Sequence, residues 1–358
     1  MTAVVRRWNG AVEIDVAVTP RTADDAATVR ALAYPRLVGD PVLGDRVLLN
    51  VSALALGLGT GGYALVVALP DRLPADDQSP EDRSDGHMVK ARYTPQQAIV
   101  LGVDEDASPN RTAMAAATDL GGMPVVVADL HSALPAIVAG VTATRPGTRI
   151  AYVMTDGAAL PAWFSRTLDG LRTLLAGTVT VGQAYGGDLE ATNIHSGLLA
   201  ARHVLGADVT VVTQGPGNLG TGTEWGFSGT AAGEAINAAA VLGGRPVGSV
   251  RISSADARDR HRGVSHHSLT AYGRVALAHA DIVVPAELPE PLASDVATAI
   301  APLGNRHTIV EVAIDGLDAA LRHLPVRLST MGRDLDSDHV YFLSAAAAGR
   351  HAATLLGT

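Results

Sequence analysis

The stretch VTVVTQGPGNLGTGTEWGFSGTAAGEAINAAAVLGGRPVGSVRI, residues 209–252, decides the fold. It opens on an apolar run, VTVVT (209–213), and passes through a glycine loop. A helical pattern follows, which Ser228 can cap and Gly243–Gly244 can end. It closes on a second run, PVGSVRI (246–252). Two short strands around one helix make a βαβ unit, and such a crossover sets the strands parallel. The alternation holds from Met123 onward. Further runs are PVVVA (124–128), RIAYVM (149–154), TVTVG (178–182), DIVVP (281–285) and TIVEV (308–312). After Ala191, the residues Ile194, Leu198, Ala201 and Leu205 share one helical stripe, with Gly206 placed to end it. The reading is an α/β fold with a doubly wound, mostly parallel, Rossmann-like sheet over residues 96–358.

Residues 1–95 follow another pattern. Runs at 12–18, 29–34, 46–51 and 63–69 are rich in Val, Leu and Ala and separated by turn residues. They predict a small β-rich domain, barrel-like or an open sheet. Residues 51–69 carry no charge and approach the length of a membrane span. Gly57, Gly59, Gly61 and Gly62 in their middle favour two buried strands joined by a glycine turn. The acidic, proline-rich segment 70–86 predicts a solvated, mobile loop, after which a strand-like run resumes at 98–103.

Composition narrows the function. The chain has 358 residues and no cysteine, which removes disulfides, thiolate metal sites and a cysteine nucleophile. Its net charge is −9 with no long basic block, which argues against nucleic acid as a partner. No signal peptide or membrane span is expected, and the predicted location is cytoplasmic. Aromatics make up 4% of the chain, so the core must be Ala, Val, Leu and Ile, as suits parallel strands under close-packed helices.

In an open parallel sheet, ligands bind beyond the carboxyl ends of the strands. The polar residues that follow the runs are Asp129 and His131, then Asp156, then Asp188 and Glu190, then the glycine loop after Gln214. Their recurrence predicts one shared site. Gly215 to Gly220 spell G-x-G-x-x-G, but the helix starts eight residues late and Pro216 removes a donor. That disfavours a dinucleotide and favours an anion nest of backbone N–H groups, with a plain packing loop as the alternative.

The stretch RHRGVSHHSLTA, residues 260–271, concentrates three histidines. Arg258, Arg260 and Arg262 alternate, so an extended backbone would set them on one side and Asp259 and His261 on the other. Ser268 can cap a helix striped by Leu269, Tyr272 and Ala276, leaving His266 and His267 just before its N-terminus. The helix dipole there favours the neutral ring, which can take a proton or ligate a metal. Adjacent histidines do not share a face, so a metal would need other ligands, and Asp129, His131 and Glu190 are the candidates. Asp188 also reads as a helix N-cap, Glu190 as an acid in that helix's first turn, and Asp156 with Gly157 as a turn. No G-x-S-x-G elbow surrounds any serine.

The phrases LGLGTGGYALVV, VMTDGAALPAWFS, GGDLEATNIHSGL, QGPGNLGTGTEWGFSG, RHRGVSHHSLTAYGRVALA and RLSTMGR resemble an uncharacterised bacterial protein family over nearly the whole chain. The resemblance implies a full-length member and transfers no catalytic residue.

The leading expectation is an enzyme for a small anionic metabolite, phosphorylated in one version. Gly215, Gly217, Asn218, Gly220 and Gly222 would form the anion loop, and Arg260 and Arg262 would add charge-assisted hydrogen bonds. His266 or His267 would be the acid–base group, with Asp156 or Asp188 orienting it or holding a divalent metal. The alternatives are a non-catalytic small-molecule sensor or assembly subunit, with the β-rich domain as its partner surface in a homo-oligomer, and then a nicotinamide-dependent oxidoreductase, for which NAD(P) is the disfavoured cofactor.

Overall fold

The computed structural model describes residues 1–18, 27–72 and 86–357. Most of the acidic segment at 70–86 lies outside the described residues. Strands β1 (Ala3–Trp8), β2 (Ala11–Ala17), β3 (Thr28–Ala33), β4 (Leu48–Asn50) and β5 (Ala64–Ala68) form a small mixed sheet in the order β1-β2-β3-β5-β4. It is open, with β1 and β4 at its edges. Val12, Ile14 and Val16 alternate along β2 and pack on Ala31, Ala33, Ala64 and Val66. The expectation for residues 51–69 holds only in its second half, β5. The first half is a helical turn, α2 (Ser52–Ala55), followed by a glycine segment that leaves Leu56 and Leu58 exposed. Gly57, Gly61 and Gly62 have φ of +64°, +64° and +83°, a backbone that no strand can hold. A hairpin, β6 (Met88–Lys90) and β7 (Ala98–Val100), leads to the second sheet.

That sheet has eight strands: β8 (Pro124–Val127), β9 (Ile150–Thr155), β10 (Gly177–Thr180), β11 (Leu189–Glu190), β12 (Val209–Gln214), β13 (Arg245–Ser249), β16 (Asp281–Pro285) and β17 (Thr308–Val312). Their order is β11-β10-β9-β12-β8-β13-β16-β17, and every neighbour pair is parallel. Each predicted run supplies one strand. Helices cover both faces, so the central strands are apolar on both sides. On one face lie α4 (Leu134–Thr144), α10 (Leu317–Arg322) and α11 (His339–Thr354), packed on Val126, Tyr152 and Met154. On the other lie α6 (Ile194–His203), α7 (Ala231–Val241) and α9 (Leu292–Ile300), packed on Val125, Val153 and Val212.

The alanine run at 345–348 has a packing reason. A Cβ on Gly140 of α4 would lie 1.9 Å from the Ala346 carbonyl oxygen, and one on Gly349 would lie 2.1 Å from that of Ile137. The two backbones touch, and only small side chains permit that. No helix among the described residues is long and apolar enough to cross a membrane.

Strand β8 leads into α4 on one face, whereas its neighbours β12 and β13 lead to helices on the other. Divergence of this kind opens crevices at the carboxyl ends of the strands.

Candidate functional site

Three adjacent strands end in polar side chains that lack partners. β8 runs out into Asp129, which is buried and whose Oδ2 has no hydrogen bond. Burial pushes its carboxyl pKa up, against the pull of Arg251. Gln214 ends β12; its Nε2 donates to the Asp129 carbonyl at 2.7 Å and to Asn218 Oδ1 at 3.0 Å, while its Oε1 is unpartnered. Thr155 ends β9 with an unpartnered Oγ1. All three line one narrow crevice with Ser228 and Gly229.

The histidine stretch closes over this edge. After β13 the chain forms a hairpin, β14 (Ile252–Ser253) with β15 (Gly263–Val264). Ser265, not Ser268, caps the next helix, α8 (His266–Thr270), by accepting from the His267 N–H. His266 and His267 therefore begin the helix rather than precede it. Nor is the arginine segment extended. A 3-10 turn over Asp259–His261 tucks His261 inside. Its ring lies 5.0 Å from that of His266 and 4.8 Å from that of His267, which are themselves 4.4 Å apart. One nitrogen from each ring lies within 4.8 Å of the others. The turn brings together what an extended chain would have separated.

Each ring has a distinct setting. His261 Nδ1 is 2.8 Å from Ser265 Oγ. His266 is half-buried with Nε2 unpartnered. His267 stacks on Phe227 at 3.8 Å between centroids, and its unpartnered Nδ1 faces Asp129 Oδ2 at 4.0 Å. That gap is too long for a hydrogen bond. Burial lowers all three pKa values, and the flanking arginines add to the effect. His261 and His267 fall to about 3. The rings are therefore neutral, with lone pairs available.

A buried ionic network supports the loop. Asp256 accepts from Arg251, Arg258 and Arg333 at 2.9–3.2 Å. Asp338, just before α11, accepts from Arg333 and from Ser253 Oγ. Burial works against the Asp256 carboxylate, yet its arginine bonds hold it well below the usual range. Three guanidinium groups face two carboxylates, so the network keeps a positive surplus.

The glycine loop lies across the histidines. Gly220 bridges to Phe227 instead of opening a helix, and α7 starts only at Ala231. Ser228 does not cap it; its hydroxyl bonds the Leu219 N–H and Asn218 Oδ1. A Cβ on Gly220 would meet the His267 ring at 3.6 Å, and one on Gly222 the Arg260 guanidinium at 3.7 Å. Arg260 is exposed and has no hydrogen-bond or ion-pair partner among the described residues. Arg262 turns back, its Nε donating to the Asp256 carbonyl. The five expected loop residues divide. Gly220 and Gly222 face the histidines and Arg260. Gly215, Gly217 and Asn218 line a separate groove of about 310 Å³ shared with Tyr63, His131 and Ser165.

Four expected site residues have structural duties elsewhere. Asp156 Oδ2 accepts from the Gln183 N–H at 2.7 Å. Asp188 accepts from the Thr178 N–H, and the helix cap expected of it is Asn193 instead, in a capping box with Ser196. Glu190 lies in a strand, not a helical turn. Its Oε1 accepts from the Gly186 N–H and its Oε2 from Thr180, with Lys90 at 3.5 Å. His131 uses both ring nitrogens, Nδ1 at 3.0 Å from the Tyr152 hydroxyl and Nε2 at 2.7 Å from Ser165 Oγ. Both ring nitrogens of His131 and both carboxylate oxygens of Glu190 are thus engaged by protein groups. Sequence reasoning missed Lys90, a lone lysine in a short strand, and Arg251, hidden at the end of an apolar run; neither carries a local signal. It set His261 outside the metal-ligand set, where only the 3-10 turn could bring it in.

Comparison with known proteins adds a family and no activity. A family model described as "Protein of unknown function (DUF3866)" matches residues 30–349, and the chain belongs to that family. No curated protein and no solved structure matches it.

Proposed function

We propose that this family member is an enzyme for a small anionic metabolite bound beyond the carboxyl ends of β8, β12 and β13. One observation carries the reading: Asp129 Oδ2 and His267 Nδ1, both buried and unpartnered, face each other at 4.0 Å. A buried carboxylate oxygen without a donor costs free energy, so its retention asks for a task. A small ring rotation lets His267 Nδ1–H donate to Asp129. The imidazole is then held in the tautomer whose Nε2 accepts, toward Gly220 and the open side. Arg260, free of partners, supplies a charged clamp for the anion, and backbone N–H groups around Gly220 and Gly222 add to it. A dinucleotide loses its usual seat here, because the glycine loop does not end in a helix N-terminus.

The test screens the full chain by thermal shift against inorganic phosphate, sugar phosphates and small dicarboxylates, and follows any stabilising compound by NMR. The expected result is a stabilising anion that is chemically converted, with the stabilisation lost in Arg260→Gln. Binding without conversion assigns the site to a sensor. Stabilisation by NAD(P) alone restores the nicotinamide reading.

A further inference from the structure

We propose that His261, His266 and His267 together hold one divalent transition-metal ion through their Nε2 atoms. Each ring supports this independently. His261 has Nδ1 committed to Ser265, so Nε2 is its one free nitrogen. His266 Nε2 is buried and unpartnered. His267 turns Nδ1 toward Asp129, the arrangement in which a carboxylate orients a metal-ligating imidazole. A buried imidazole nitrogen without a partner is costly, and an ion between the three rings satisfies His266 Nε2.

The donor set defines the ion class. Three imidazoles with no coordinating carboxylate suit zinc, cobalt, nickel, copper or ferrous iron, not magnesium or calcium, which take oxygen ligands. Three protein ligands also leave a fourth position open, as catalytic zinc sites do. In a tetrahedral site with bonds of ~2.1 Å, ligand atoms sit roughly 3.4 Å apart. One nitrogen of each ring lies within 4.8 Å of the others, so the widest pair closes by at most about 1.4 Å. His266, half-buried at the first position of α8, is the least enclosed of the three rings. The arginine surplus opposes a bare cation and is offset by an anion at the open position. This deepens the proposed function and rests on it only in placing the anionic substrate there.

The experiment titrates the full-length, chelator-stripped protein with Co²⁺, read by visible absorption, and with Zn²⁺ against a chromophoric chelator, without substrate. One ion per chain with tetrahedral Co²⁺ bands is expected. Asp129→Asn should weaken Zn²⁺ binding roughly 10- to 100-fold, as loss of an orienting carboxylate does. His266→Ala should weaken it further while the metal-free variant melts as wild type does. If His266→Ala melts lower, His266→Gln carries the same comparison. Absence of a bound ion in wild type, or wild-type affinity in the His266 variant, overturns the proposal. Metal binding without turnover of any anion keeps this inference and removes the enzyme reading, whereas turnover by a protein that binds no ion does the reverse.

Discussion

The carboxyl edge of the parallel sheet has two polar corners built from the same kinds of residue. At β9, β10 and β11, Asp156, Asp188 and Glu190 each accept from a backbone N–H. Lys90, fully buried, donates to the carbonyls of Gly182, Ala184 and Ala191 and lies 3.5 Å from Glu190. This corner is closed: its charges are spent on holding the hairpin β6–β7 to the sheet. At β8, β12 and β13, Asp129, Gln214, His266 and His267 all keep buried atoms without partners. A protein rarely leaves such atoms unpaired unless water, an ion or a ligand meets them. The difference separates polar groups that the chain itself satisfies, among them the exposed Asp156 and Asp188, from buried ones that it leaves unsatisfied.

The largest expected effect lies in the closed corner. Lys90→Met should cost about 3–5 kcal/mol in chemical denaturation, because it strips a buried carboxylate of its ammonium partner. A loss under about 1 kcal/mol would erase the contrast between the corners.

Acid should act on the open corner. His261 and His267 fall to about 3 in the fold, by burial first, from 6.5 in the unfolded chain. The unfolded state therefore binds more protons below pH 6.5. Stability contributed by the neutral rings is full above that pH and is lost as pH falls toward 3. Each ring contributes at most about 1.4 kcal/mol per pH unit. His261→Gln should accordingly flatten the pH dependence of the melting temperature between 6.5 and 4, and an unchanged slope would show that the ring is not buried neutral.

The smallest change in stability should come from Asp129→Asn. Replacing a buried carboxylate that has one unpartnered oxygen with a neutral amide should leave the folding free energy within about 1 kcal/mol of wild type, or raise it. A loss above about 2 kcal/mol, measured in urea, would make Asp129 a structural group like Glu190.

Much of the fold was legible because apolar runs and helical stripes are local. Each of the seven runs from Met123 onward became a strand of one sheet, since a parallel strand buried on both faces must read as Val, Ile and Ala throughout. The same logic failed at residues 51–62, where positive-φ glycines broke an apolar segment that composition alone reads as strand. It failed again at Arg258–Arg262, where alternation suggested an extended chain and a 3-10 turn formed. Of the candidate site, the histidines and Asp129 were visible as residues at strand ends. Their distinction from Asp188 and Glu190 was not.

The amino-acid order by itself determined the parallel sheet, the helices on both faces, and the edge at which polar groups emerge, because periodicity and chain direction are properties of short segments. Tertiary structure alone decided which of those groups are satisfied. Lys90 reaches Gly182 across 92 residues, and Asp129 meets His267 only because β8 and β13 lie side by side. Whether a buried carboxylate finds a donor depends on what distant chain delivers to it, and that is settled by packing in three dimensions.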